Sequence, residues 1–187
     1  LEALAGTGIK APYVVVGYQA EAVKTFVKPY GAVPVFQREQ KGTGHAVMMA
    51  QQTLKNAQGP ILIWPGDMPL VKPETLEKFF AAHKKARAHV SVLSCEQQDP
   101  FGYGRIVRDE GRFAAIREAL DATPEERAIR EVNTGIYLFD KKALFEALEK
   151  IGQDNRKGEY YLTDTVEILR REGYCVEAFP LASAEEG

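Results

Sequence analysis

The chain is 187 residues long, with 45% hydrophobic and 27% charged residues, proportions that suit one soluble globular domain with its own core and exclude intrinsic disorder. Its 24 basic and 26 acidic residues are spread along the chain for a net charge of −2. That leaves no basic block for nucleic acid or an anionic membrane, so a phosphate ligand would depend on local donors.

In chain order, Leu1-Glu-Ala-Leu-Ala5 reads as the middle of an amphipathic helix with neither a cap nor a starting Met, so the chain is expected to be cut from something longer. Tyr13–Gly17 is an apolar run ended by Gly, the pattern of a buried parallel strand, and Glu21–Val27 follows as a short helix. Val33–Phe36 is a brief strand whose Pro34 predicts an edge position. Gly42-Thr-Gly44 leads into a helix over His45–Leu54, and Ile61–Trp64 is a second buried strand stopped by Pro65-Gly66. Pro73 suits the first turn of a helix through Glu74–Lys85, with Leu76, Phe79, Phe80 and His83 at core-facing spacing.

His89–Cys95 is a third strand, and Ile106–Phe113 resembles a hairpin turning at Asp109-Glu110-Gly111. Gly135–Phe139 is a strand and Ala143–Lys150 a helix with Leu144 and Leu148 on one face. Asp164 and Glu167 have the spacing of a capping box opening Thr165–Arg171, Gly173 stands at the C-cap, and Tyr174–Phe179 closes as a strand. Strands alternating with helices predict an α/β domain, its sheet mainly parallel and made mixed by the inserted hairpin. No repeat or linker divides it, so residues 1–187 are expected to form one domain. Cys95 and Cys175 lie far apart outside any C-x-x-C pair and are expected as buried, reduced thiols of a cytoplasmic protein. No stretch reaches the ~18 consecutive apolar residues of a membrane helix, and no signal peptide is visible.

Four places where strands end combine polar side chains with glycine, and ligands in α/β sheets gather at such ends. In Gln37-Arg-Glu-Gln-Lys-Gly-Thr-Gly-His45, Gly42 and Gly44 let backbone N–H groups approach a ligand and Thr43 offers a hydroxyl; a plain Gly-rich turn with a packed histidine has the same pattern. Asp67 in Gly66-Asp-Met-Pro69 is placed to hold Mg²⁺ beside a phosphate, or to close an Asx-turn. Asp99-Pro-Phe-Gly-Tyr-Gly-Arg105, Glu118 and Asn133-Thr-Gly135 supply a tight backbone at Gly104 and groups able to read sugar hydroxyls and amides. Gly158-Glu-Tyr-Tyr-Leu-Thr-Asp164 sets two aromatics where they either wall a sugar or pack a helix. There is no Ser-His-Asp or Cys-His arrangement, zinc spacing, P-loop or G-x-G-x-x-G. Phosphate, a divalent cation and a polyhydroxylated ligand remain.

Taken together, Gln37 with Gly42-Thr-Gly-His-Ala46, Gly66-Asp-Met-Pro-Leu70, Asp99–Ile106, Glu131-Val-Asn-Thr-Gly-Ile136 and Gly158–Asp164 resemble the uridylyltransferase domain of the bifunctional bacterial enzymes that make UDP-N-acetylglucosamine, a cell-wall precursor. The resemblance implies a Rossmann-like nucleotidyltransferase fold that takes UTP and N-acetylglucosamine 1-phosphate with Mg²⁺. It implies that Gln37 pairs with the uracil edge, that Gly42 and Thr43 close around the base, and that Gly66 and Asp67 stand at the phosphates with Asp67 as catalytic metal ligand. Gly104, Glu118 and Asn133 would hold the N-acetylglucosamine moiety, and Glu159, Tyr161 and Thr163 would line the sugar-phosphate side.

The family's opening strand and Gly-rich phosphate signature are absent, as is an Asn just beyond Gly187 that serves as second metal ligand, so this chain alone is expected to be nearly inactive. Pro65 stands where the family usually has Tyr, and Leu120 where a Lys is common. The trimer-forming β-helical half is also missing, so the chain is expected as a monomer and its full-length protein as a homotrimer. A sibling enzyme with another sugar or base, or a regulatory domain on the same fold, are the alternative readings.

Overall fold

The computed structural model describes residues 1, 4, 9 and 11–186, and the helix expected at residues 1–5 rests on residues outside that set. Among the described residues eight strands and six α-helices follow one another: β1 Tyr13–Val16, α1 Ala20–Val27, β2 Val33–Phe36, α2 Thr43–Leu54, β3 Ile61–Ile63, α3 Pro73–Ala86, β4 Val90–Glu96, β5 Arg105–Asp109, β6 Arg112–Arg117, α4 Pro124–Arg127, β7 Glu131–Phe139, α5 Lys141–Leu148, α6 Leu162–Arg171 and β8 Val176–Ala182. A short 3₁₀ turn, Lys28–Tyr30, ends α1.

The strands form a parallel pair, β1 with β2, and a six-stranded sheet in the order β6-β5-β7-β4-β8, with β3 also pairing β7. Long β7 takes β5 near its start, Arg105 opposite Val132, and β3 near its end, Ile61–Ile63 opposite Phe139–Tyr137. It runs antiparallel to β3 and β4, whereas β4 and β8 are parallel. The sheet is therefore mixed, as the pattern predicts, but not mainly parallel as expected: among the described residues only β4–β8 is parallel within it, because β7 adds antiparallel pairs with β3, β4 and β5 to that of the hairpin. Pro34 sits on β2, which pairs only β1 among the described residues, so the missing N–H breaks no ladder. The hairpin turns on Glu110 and Gly111, both at positive φ (49° and 78°), as a two-residue primed turn demands.

Side chains alternate across β7. Ile136 and Leu138 join Leu76, Phe79 and Leu93 on the α3 face. Tyr137 and Phe139 join Leu144, Leu162, Val166 and Leu169 on the α5–α6 face. Cys95 is buried but Cys175 is only half-buried at the entry to β8, and both are free thiols.

The expected capping box of Asp164 and Glu167 does not form. α6 begins at Leu162, with Tyr161 at its N-cap and no side-chain cap from its own segment. Its first N–H is satisfied from across the molecule by Thr43 Oγ1 at 3.1 Å, which lets the buried Leu162 and Thr163 enter the helix. A capping box does form on α4, where Thr123 and Glu126 exchange bonds.

Candidate functional site

Where β3 ends, Met68 N–H donates to Pro65 O at 3.3 Å and Trp64 Nε1–H to Met68 O at 2.8 Å. These bonds close a turn with Gly66 and Asp67 exposed at its tip. Asp67's carboxylate makes no hydrogen bond or ion pair among the described residues, so the Asx-turn alternative is not what holds it. The turn lies against β7: Gly135, at φ +78°, would set a Cβ 3.1 Å from Pro65 Cγ. Pro65 thus packs on the bend that follows Asn133.

Asn133 is fixed by three bonds. Its backbone N–H donates to Gly104 O at 2.8 Å, its Oδ1 accepts from Gly135 N–H at 3.0 Å, and its Nδ2 donates to Tyr137 Oη at 2.6 Å. The Gly135 donor settles which end of the amide is oxygen, leaving one N–H for a ligand. Burial pushes the Tyr137 phenol up, partly opposed by the Asn133 bond. A Cβ on Gly104 would stand 3.2 Å from Ile116 Cγ2 and 3.7 Å from Asn133 Cβ. Gly104 is thus where the hairpin's entry passes Asn133, and the buried Arg105 holds that entry by donating to the carbonyls of Tyr103 and Arg127.

Glu118, one residue past β6, accepts from Thr163 Oγ1–H at 3.0 Å, so the hydroxyl of α6 holds the carboxylate and Oε2 is left for a ligand. Tyr161 is buried, 8% exposed. Its phenol is pushed up by burial and then by the charges of Asp121, Glu118, Glu159 and Asp164. Glu159 is half-buried, its backbone N–H bonded to Asn155 Oδ1 at 3.2 Å and its carbonyl to Asn155 Nδ2 at 2.5 Å. This side of the rim is acidic, a surface of hydrogen-bond acceptors suited to hydroxyls and amides.

The other side is built on the loop from β2 to α2. Gly42, at φ +104°, would set a Cβ 2.6 Å from Tyr160 O. Gly44 N–H donates to Tyr160 O at 2.8 Å, and Tyr160 N–H to Lys41 O at 2.8 Å. Gln37 Nε2 reaches Gly42 O at 3.2 Å and His45 Nδ1 at 3.0 Å.

The structure joins Gln37 to Gly42 and Thr43 to the start of α6, joins Glu118 to the same helix through Thr163, and sets Gly104 beside Asn133. Gly66 and Asp67 follow Pro65, which packs on Gly135. Sequence reasoning missed the parts played by Tyr160, Tyr137 and Arg156. Arg156 donates from Nη1 to Leu120 O at 2.6 Å and lies 3.5 Å from Asp121. It sets a guanidinium beside Leu120, the position where the resemblance implies that a Lys is common. Arg156 carried no motif signal, because it reaches Leu120 from a separate loop.

No group of three or more His, Cys, Asp or Glu able to cage a metal occurs among the described residues. A lone exposed carboxylate fits Mg²⁺, which keeps waters and substrate phosphates as its other ligands. Among the described residues no helix is long and apolar enough to cross a membrane.

The chain is similar over its whole length to the Bifunctional protein GlmU of Lactobacillus johnsonii, at 43% identity over 187 residues and 40% of that protein. It is 45% identical over 179 residues to the Bifunctional protein GlmU of Syntrophotalea carbinolica, covering 96% of this chain and 39% of that one. The chain thus spans about two fifths of the length of these relatives. Among solved structures, a UDP-glucose pyrophosphorylase complexed with UDP-glucose superposes with a TM-score of 0.70 at 17% identity, covering 99% of this chain and 80% of that one. HddC from Yersinia pseudotuberculosis gives 0.67 at 16%, covering 98% and 74%; both are likenesses of fold. The family model described as Nucleotidyl transferase matches residues 1–184, and the chain belongs to that family.

Proposed function

We propose that this chain forms one domain and is the uridylyl-transferring part of an enzyme that joins UTP and N-acetylglucosamine 1-phosphate into UDP-N-acetylglucosamine and pyrophosphate. The observation that carries the reading is that α6 is bonded at its start to two separate polar groups. Thr43, read with Gln37 and Gly42 as the base-facing set, accepts from Leu162 N–H, and Glu118, read with Gly104 and Asn133 as the sugar-facing set, accepts from Thr163. The relatives named Bifunctional protein GlmU agree with the resemblance to the bifunctional bacterial enzymes from which these substrates are taken.

Asn133 presents an N–H to a sugar acceptor such as the acetamido carbonyl, and Glu118, held by Thr163, accepts from a hydroxyl or amide N–H. Tyr161 and Glu159 wall the sugar-phosphate side. An oxygen of the sugar phosphate forms a bond to the α-phosphorus in line while the bond to pyrophosphate breaks, and the product takes the sugar-phosphate oxygen as its bridge. Phosphates need no protein nucleophile or base, so alignment by these residues carries much of the rate. Asp67 would hold Mg²⁺, which when bound neutralises charge on the reacting phosphates.

The test is calorimetric titration of UDP-N-acetylglucosamine with Mg²⁺ into the whole protein that carries this chain, together with turnover assays. Asn133→Ala is expected to weaken binding by roughly 10–100-fold, the cost of losing one well-placed polar contact. Asp67→Asn is expected to abolish product formation from UTP while leaving the fold intact. Absence of binding by the unsubstituted protein would overturn the sugar-nucleotide reading.

A further inference from the structure

Gln37 and His45 are half-buried, and the bonds around them fix the polarity of the Gln37 carboxamide. The group 3.2 Å from Gly42 O must be the amide nitrogen, since an oxygen there would face another carbonyl oxygen. That nitrogen has two hydrogens. One goes to Gly42 O; the other lies on the line to His45 Nδ1 at 3.0 Å, which can accept it only when Nδ1 is unprotonated and the ring carries its proton on Nε2. The imidazole is held in place from its flank: His45 lies against the Tyr160 ring with centroids 6.3 Å apart and planes 26° from parallel, and α2 is tied to the same residue through Gly44 N–H. Both donors of Gln37 are therefore engaged within the protein. Its Oε1, which makes no hydrogen bond among the described residues, is the one polar atom left for a ligand.

We propose that His45 is a positioning residue that, with the Gly42 carbonyl, locks Gln37 so that it meets the base through Oε1 alone and selects pyrimidines bearing an N3–H. Uracil and thymine carry a hydrogen at N3, so Oε1 accepts from them. Cytosine presents a lone pair at the same atom, and an oxygen facing it leaves two acceptors opposed. Without the imidazole the carboxamide keeps one bond to Gly42 O and gains a free hydrogen, and with it freedom to turn and serve either base. The proposal rests on the reading above that Gln37 faces the base.

The first measurement needs no ligand: ¹⁵N shifts of the histidine ring nitrogens in this chain, with His45 assigned by substitution. The expected result is an unprotonated, hydrogen-bonded Nδ1 and a protonated Nε2 at neutral pH; the opposite tautomer overturns the proposal. The second compares UTP with CTP in the whole protein, as the ratio of kcat/KM. His45→Leu is expected to lower the preference for UTP about tenfold, the weight of one polar contact, with discrimination between N-acetylglucosamine 1-phosphate and glucose 1-phosphate unchanged. His45→Asn, whose side-chain oxygen can take the place of Nδ1 as acceptor, is expected to restore the preference, which a merely space-filling role would not require. An unchanged UTP:CTP ratio in a folded His45→Leu protein overturns the proposal. The expected tautomer in a protein that uses neither nucleotide overturns the functional reading and the base selection together, while leaving the locked amide as a structural fact.

Discussion

Gly42 holds φ at +104°, and a methyl built on it would come within 2.6 Å of Tyr160 O and 2.9 Å of Glu159 Cβ. The obstructing atoms are mostly backbone, so they cannot swing aside, and the torsion itself is unfavourable for any residue with a Cβ. Gly42→Ala is expected to cost about 2 kcal/mol, which for a chain of this size lowers Tm by about 4–8 °C. Differential scanning calorimetry checks it, and an unchanged Tm would mean that the loop does not sit against Tyr160. A close backbone approach at this glycine was legible in Gly-Thr-Gly before a helix, but it was expected toward a ligand, whereas the approach seen is to Tyr160. Thr43 was legible only in part: its hydroxyl was expected at a ligand, whereas its oxygen accepts from Leu162 N–H. A bond across 119 positions leaves no local spacing to read.

Acids meet the first turns of two helices with opposite consequences, Glu186 reaching α3 from beyond β8 and Asp164 lying on α6 itself. At α3, burial would raise the Glu186 carboxyl, but N–H groups of Ser183 and Lys72 and the Thr75 hydroxyl outweigh it and bring the group down to about 2. At α6, Asp164 is half-buried with no such donor among the described residues. Burial, then the charges of Glu167, Glu118 and Asp121, push it from 3.8 up to about 6. A raised folded pKa means that the native state holds the proton more tightly than the unfolded chain. The associated stability is full below about pH 3.8 and is lost as pH rises through about 6. Asp164→Asn removes the charged form, so it is expected to raise Tm by roughly 2–5 °C at pH 8 and to leave it unchanged at pH 3.5. Melting curves at the two pH values check this, and a gain of equal size at both would refute the electrostatic cause. The sequence showed an acid near the start of this helix but gave it the wrong duty. Asp164 and Glu167 have capping-box spacing, yet the helix starts at Leu162 because that apolar side chain is buried with Val166 and Leu169. Tertiary burial moved the boundary past the local signal.

At the scale of the molecule, the sheet order was the least legible feature, because β7 fills the space between β3 and β4 from far along the chain and nothing in its residues announces its neighbours. What holds that arrangement is partly ionic. Glu131, at the start of β7, accepts from Arg108 Nε and Nη2 at 2.7 Å each and from Ser94 Oγ at 2.7 Å, while Arg108 Nη2 also donates to Ala178 O at 2.9 Å. One carboxylate and one guanidinium thus join β5, β7, β4 and β8. The carboxylate is nearly out of water, with its side chain 11% exposed against 27% for Arg108. Removing it alone strands the guanidinium and the serine hydroxyl, so Glu131→Ala is expected to cost about 3 kcal/mol. Urea denaturation should show it as a lower midpoint with the slope unchanged. A buried ion pair is weak evidence for net stability, because desolvation offsets much of the attraction. The double change Arg108→Met with Glu131→Leu, which strands no charge, is therefore expected to recover more than half of the loss. If the double variant were instead as unstable as the sum of the two single ones, the pair would not be acting as a coupled unit. The hairpin, and Gly104 and Glu118 with it, would then be held to β7 by apolar packing and the strand ladder.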